Sequence, residues 1–107
     1  MPFKFSRCFC LQTPDVAKAR AFYSEVLGLK DISTENQVEF ATAPVRLFMD
    51  SGPTLGPVFE IVVPDLEKAK RELLAAGCTV VKWEGKGKAC YLQDPVGFTF
   101  NVFEEKD

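Results

Sequence analysis

Two cysteines near the N-terminus are the first side chains that could do chemistry. Cys8 and Cys10 lie two residues apart in a stretch that predicts a β-strand, so both point to the same face. Such a pair could work as a nucleophile or redox couple if a nearby cation, helix N-terminus or histidine activated one thiol. The sequence contains no histidine, and free cysteines usually behave as small buried hydrophobic residues. We therefore favour two cavity-lining thiols with no catalytic role.

Three polar residues are candidates for holding a ligand. Glu60 interrupts an apolar run and shares a strand face with Val58 and Val62. A charge there is costly unless it is paired or hydrated. Glu60 therefore either lies at a water-exposed edge of the cavity, anchors a cationic group, or pairs with Arg46. Asn101 lies in the last apolar stretch, where its amide must find a hydrogen-bond partner.

The aromatic residues suggest stacking against a planar molecule. Phe48, Trp83, Tyr91 and Phe103 fall in predicted strands. Aromatic side chains at such spacing also serve as core residues, and we expect about half of these four to face a cavity. Lys86 lies between Gly85 and Gly87, and Lys88 follows Gly87. No helix is predicted after them, so a solvated turn is favoured over a phosphate-binding loop.

An internal repeat organises these residues. The segment Pro14-Asp15-Val16-Ala17-Lys18-Ala19-Arg20 recurs 50 residues later as Pro64-Asp65-Leu66-Glu67-Lys68-Ala69-Lys70. In each copy Asp can cap the helix that follows it, and each helix should end at a glycine, Gly28 or Gly77. Leu66, Ala69, Leu73 and Leu74 are predicted to form the buried stripe of the second helix.

Each half of the chain thus reads as a strand, a helix and about three further strands. The predicted strands cover residues 3–12, 38–41, 45–49, 58–63, 79–83, 90–93 and 98–103, and a turn is expected at 94–97. The sequence predicts an α+β domain of tandem βαβββ modules. We expect a single domain, 1–107, with module one at 1–50, a Gly/Pro-rich linker at 51–57 and module two at 58–107.

Composition excludes several classes of function. The formal net charge of −2 gives no reason to expect nucleic acid as a partner. No apolar run approaches the roughly 20 residues of a membrane span, and no signal peptide is visible, so we expect no membrane partner. Four cysteines without a CxxC motif favour reduced thiols and a cytoplasmic location.

Three segments carry a resemblance to a known superfamily. They are Thr13-Pro14-Asp15 through Leu29, Val63-Pro64-Asp65 through Gly77, and Leu92-Gln93-Asp94-Pro95-Val96-Gly97-Phe98 through Asn101. In this order they resemble the glyoxalase, bleomycin-resistance protein and extradiol dioxygenase superfamily, also called vicinal oxygen chelate proteins. The resemblance implies paired βαβββ modules whose mixed sheets curl around a cleft, commonly in a homodimer.

The resemblance also implies where a metal would bind. Enzymes of the superfamily hold a divalent ion with His and Glu on inward strand positions, which correspond here to Cys8, Val58, Asn101 and a residue within 46–48. None of these side chains is a good ligand for a hard divalent ion. We therefore expect no metal and no other cofactor.

The leading hypothesis is a metal-free small-molecule binding protein similar to the bleomycin-resistance proteins that sequester antibiotics. The expected ligand is a planar or amphipathic organic molecule. The alternatives are a glyoxalase-like lyase or isomerase, or a dioxygenase-related enzyme, with a non-standard metal site; a thiol-based protein is a third interpretation. The predicted ligand-binding residues are Cys8, Cys10, Arg46, Phe48, Glu60, Trp83, Asn101 and Phe103.

Overall fold

The computed structural model describes residues 3–83 and 89–105. The chain forms two compact units, one of residues Arg7–Val58 and one of Phe59–Asp107 together with Met1–Ser6. Strands and helices follow the order β1 (Lys4–Thr13), α1 (Val16–Ala21) continued by a π-helical turn (Phe22–Val26), β2 (Lys30–Asp31), β3 (Val38–Thr42), β4 (Val45–Ser51), β5 (Leu55–Val63), α2 (Leu66–Ala75), β6 (Thr79–Trp83), β7 (Ala89–Gln93) and β8 (Thr99–Glu104). The predicted α+β fold of two βαβββ modules is confirmed.

The first unit contains a mixed four-stranded sheet in the order β2-β3-β4-β1. β1 and β4 run parallel with Cys8 opposite Arg46 and Cys10 opposite Phe48. β3 runs antiparallel to both β2 and β4. This register decides which side chains of the unit share a face.

The first helix begins as predicted but changes its geometry halfway. The Asp15 carboxylate accepts a hydrogen bond from the Lys18 N–H at 3.0 Å and caps the first turn. The expected continuous helix is wrong beyond Ala21, because residues 22–26 form a π-helical turn. There the Ser24 hydroxyl donates to the Arg20 carbonyl, four residues back, at 2.9 Å, a bond that often distorts helices.

The chain leaves this helix through Gly28, whose φ of 72° lies in the left-handed region that glycine adopts without strain. β2 follows at once and was not predicted. It is only two residues long, Lys30 and Asp31, and both are charged, so no apolar pattern marks it. Arg20 supports it through an ion pair with Asp31, which holds the pKa of that carboxyl well below its usual range.

The second unit repeats the arrangement with strand order β5-β8-β7-β6. β5 and β8 are parallel with Glu60 opposite Asn101, and β7 is antiparallel to β8 and β6. The register between β6 and β7 shifts between Val80 and Lys82. The structure assigns Leu55, Gly56 and Pro57 of the Gly/Pro-rich segment to β5.

α2 covers one face of this second sheet. The buried core there comprises Val63, Leu66, Ala69, Cys78, Cys90, Leu92, Phe100 and Val102. Two carboxylates fix the start of the helix, since Asp65 accepts from the Lys68 N–H at 3.1 Å and Glu104 accepts from the Leu66 N–H at 2.8 Å. The predicted apolar stripe is right for Leu66 and Ala69 and wrong for Leu74, which is 39% exposed.

The predicted turn at residues 94–97 is also present. The Asp94 carboxylate accepts hydrogen bonds from the N–H groups of Val96 and Phe98, both at 2.9 Å. These bonds reverse the chain between β7 and β8 and so position Asn101. Within the described ranges 3–83 and 89–105, no helix is long and apolar enough to cross a membrane.

Leu66→Ala should destabilise the fold far more than Leu74→Ala, because Leu66 is 0% exposed and Leu74 is 39% exposed on the same helix. We expect Leu66→Ala to lower the free energy of unfolding by about 2–5 kcal/mol. Leu74→Ala, the matched control, should lower it by less than about 1 kcal/mol. Urea denaturation measures both, and equal losses would show that the helix packs differently.

Candidate functional site

Each sheet has one face packed against its helix and one face turned away from it. In the first unit the ring of Tyr23 lies 6.0 Å from that of Phe40, and Phe40 is opposite Leu47 in the sheet. Since side chains alternate along strands, residues flanking these positions point to the other face. That face carries four predicted ligand-binding residues, Cys8, Cys10, Arg46 and Phe48.

Arg46, on this first face, forms an ion pair that the sequence did not suggest. Arg46 donates from Nε and Nη2 to the two carboxylate oxygens of Glu39, both at 3.0 Å. Its guanidinium carbon lies 4.9 Å from the centre of the Phe48 ring. The hydrogen bonds to Glu39 raise the pKa of Arg46 above its usual value. A bidentate pair with a stacked ring fixes the direction of the guanidinium.

The sequence did not identify Glu39 as the partner of Arg46. Glu39 lies on the neighbouring strand β3, opposite Phe48, which is two residues from Arg46 along β4. The possibility that Glu60 pairs with Arg46 is wrong: Arg46 pairs with Glu39, and Glu60 accepts its hydrogen bond from Asn101. Cys10 shares the Arg46 face, and its Sγ lies 3.8 Å from an oxygen of Asp50.

The free face of the second unit carries Glu60, Asn101 and Phe103. Asn101 Nδ2 donates to Glu60 Oε2 at 3.1 Å. Tyr91 is opposite Asn101 on the next strand, and the Lys82 ammonium lies 5.7 Å from the centre of its ring. The structure thus brings a carboxylate, an amide and aromatic rings onto one face.

Two sequence-based assignments fall partly outside the described residues. Trp83 ends β6, and its side chain lies outside the part of the chain that the structure describes. The polar turn that includes Lys86 and Lys88 lies outside it too.

The other two cysteines are buried in the second unit. All four cysteines are thiols, and Cys78 and Cys90 belong to the core beneath α2. Burial raises the thiol pKa of both above its usual value, because a thiolate is poorly solvated there. Neither is suited to nucleophilic chemistry.

Comparison with known proteins identifies the family. The model of the glyoxalase-like domain matches residues 8–103, and the chain belongs to that family. No protein of curated function shows significant similarity to the chain.

Solved structures share the fold. A hypothetical protein from Bacillus halodurans C-125 is 11% identical with a TM-score of 0.64, covering 100% of this chain and 97% of its own. A glyoxalase/bleomycin resistance protein/dioxygenase superfamily member from Vibrio splendidus 12B01 is 15% identical with a TM-score of 0.60, covering 96% and 99%.

A third structure is of a named enzyme. Homoprotocatechuate 2,3-dioxygenase from Brevibacterium fuscum, in complex with 3,4-dihydroxyphenylacetate, is 27% identical with a TM-score of 0.61. The match covers 96% of this chain but only 36% of the dioxygenase chain. The present chain therefore spans about a third of that enzyme's length.

The residues that the resemblance assigns to the superfamily's metal positions do not fit a divalent ion. Val58 is apolar and 3% exposed, Asn101 donates to Glu60, and Arg46 carries a positive charge paired with Glu39. Cys8 alone offers a soft donor, opposite that arginine. Within residues 3–83 and 89–105, no group of three or more His, Cys, Asp or Glu residues is placed to hold a metal.

Alkylation should separate the four thiols into two classes. At pH 7.5 we expect Cys78 and Cys90 to react at least about tenfold more slowly than the half-buried Cys8 and Cys10, because burial limits access and raises their pKa. Iodoacetamide labelling followed by peptide mass spectrometry measures each rate. In 8 M urea, the control condition, the four rates should converge; four equal rates in the native protein would contradict the assignment.

Proposed function

We propose that the protein binds a small organic molecule and does so without the divalent metal used by enzymes of its superfamily. The observation that carries this proposal is that Asn101, which the resemblance assigns to the place of the superfamily's metal-binding Glu, donates a hydrogen bond to Glu60. An amide used in this way holds a neighbouring carboxylate in position, which suits recognition of a ligand by hydrogen bonds.

The chemistry of the two free faces supports an organic ligand. On the first face Phe48 supplies aromatic surface and Arg46 a directed polar group. On the second face, taken by itself, Phe103 supplies aromatic surface, and Glu60 and Asn101 supply directed polar groups. Pockets for small molecules commonly combine apolar walls with a small number of placed polar groups. The ligand we propose is planar and amphipathic, and its binding would be a sequestering role of the bleomycin-resistance type in the cytoplasm.

An enzyme is the second candidate, because the chain is 27% identical to part of a dioxygenase that binds 3,4-dihydroxyphenylacetate. Fold similarity does not transfer chemistry, which depends on the residues at the site. Val58 at one such position, and Arg46 as one of residues 46–48 at another, argue against such an enzyme. The binding role is therefore the better supported of the two.

A thermal-shift screen in buffer containing EDTA tests the binding role. At a hundredfold excess over Kd, a ligand that binds only the folded state should add about 2.7 kcal/mol of stability. For a domain of this size that corresponds to a rise in Tm of about 10 °C or more. An unrelated protein of similar size controls for effects of the compounds on the dye. If no planar amphipathic compound raises Tm, and metal supplied in place of EDTA restores binding, the enzyme is favoured.

We also propose that the protein forms a homodimer, as its resemblance to the superfamily implies. Support comes from the helical segment of the first unit, which exposes the apolar side chains of Phe22, Val26 and Leu27. Light scattering at micromolar concentration should give about twice 11.9 kDa. Val26→Lys should shift the mass toward one chain, whereas Val96→Lys, an exposed control in the second unit, should not. A monomer at all concentrations would refute the proposal.

A further inference from the structure

The carboxylate of Glu60 has an unusual set of partners for a half-buried charge. In the described chain its side chain makes one hydrogen bond, from Asn101 Nδ2 at 3.1 Å, and no ion pair. A carboxylate has about four acceptor sites. Removing such a group from water is costly unless positive charge or several N–H donors compensate it. Glu60 therefore has acceptor sites that the described residues leave open to water or to a ligand.

A second unsatisfied acceptor belongs to the residue that contacts Glu60. Asn101 Oδ1 is buried and has no hydrogen-bond partner among residues 3–83 and 89–105. Turning the amide over would place Oδ1 against the Glu60 carboxylate and lose the existing bond, so the hydrogen-bond network fixes its orientation. The pair therefore presents unfilled acceptor positions on both residues.

Apolar side chains lie beside these acceptors on the same face. Val62 and Phe103 are opposite each other, one register step of two residues from Glu60 and Asn101. Phe103 is among the exposed large hydrophobic residues. The same face thus carries the hydrogen-bond acceptors of Glu60 and Asn101 next to the aromatic ring of Phe103.

A basic group on this face, the Lys82 ammonium, is engaged by an aromatic ring. The Lys82 ammonium lies 5.7 Å from the centre of the Tyr91 ring, and Lys82 lies on β6, three strands away from Glu60 on β5 in the order β5-β8-β7-β6. A metal ion would need at least a third protein donor, and the described residues offer no such group. An organic cation needs only a carboxylate and a neighbouring acceptor.

We infer that Glu60, positioned by Asn101, binds a protonated nitrogen of the ligand, and that an attached aromatic or apolar body lies against Val62 and Phe103. The inference rests on the proposed binding function and specifies its ligand class: an aromatic amine, amidine or protonated heterocycle. The nitrogen of such a ligand donates to Glu60. Asn101 acts by holding the carboxylate.

Three matched probes test the ligand class in the wild-type protein. Benzamidinium, benzamide and benzoate share one ring and differ in charge. Titration of ¹⁵N-labelled protein should show benzamidinium binding at least about tenfold more tightly than benzamide, because a charge-assisted hydrogen bond is roughly twice as strong as a neutral one. The amide signals of Glu60, Val62, Asn101 and Phe103 should move, and benzoate should bind most weakly.

Two variants then test whether Glu60 is the residue that causes the preference for benzamidinium over benzamide. Glu60→Gln keeps an acceptor for Asn101 and removes the charge, so it should reduce benzamidinium affinity about tenfold and leave benzamide within twofold. Glu72→Gln makes the same change in net charge on an exposed position of α2, and it should change neither affinity. These two comparisons separate a local contact from the overall charge of the protein.

The outcomes distinguish the inference from the proposed function. If all three probes bind equally, or if Glu60→Gln retains the preference for benzamidinium, the ligand-class inference is overturned while binding of organic molecules stands. If neither these probes nor any planar compound binds, the proposed function falls and the inference with it. Preference for benzamidinium that only Glu60→Gln abolishes supports both.

Discussion

The burial of one sheet face beneath a helix is the constraint on which the rest of the second unit depends. α2 packs Leu66 and Ala69 onto Val63, Leu92 and Val102, which commits alternate positions of β5, β7 and β8 to the core. The intervening positions must then point to the opposite face. Glu60 and Asn101 occupy such positions and meet across the parallel β5–β8 pair. The hydrophobic core thereby creates the polar contact on the other side of the sheet.

In the first unit a helical segment also covers one sheet face, but the opposite face carries different side chains. Its helical segment contacts the Phe40 side of the sheet, and the opposite face carries Arg46 bound to Glu39. The guanidinium there is fully paired with a carboxylate, whereas Glu60 in the second unit has only an amide donor within the described chain. Two modules built from one repeated pattern therefore present different electrostatic surfaces. The difference arises from a few strand residues and leaves the fold unchanged.

The fold could be predicted from the sequence because its signals are local and repeated. The Pro-Asp helix starts, the closing glycines and the Asp94 turn depend on neighbouring residues, and the structure confirms them. The π-helical turn at 22–26 and the two-residue β2 have no apolar period and were missed. Contacts within the candidate site depend on strand register. The partners Glu39 and Arg46 are set by pairing between β3 and β4, which the local pattern does not specify.

Membership of the glyoxalase-like family defines the scaffold, and the residues on it define the chemistry. The central claim is that this scaffold works here without a divalent metal. Elemental analysis of the protein, purified without chelator or affinity metal, measures this most directly. We expect zinc, iron, manganese and nickel each to stay below about 0.1 equivalent per chain, since a lone thiol is a poor site. Close to one equivalent of any of these metals would contradict the account.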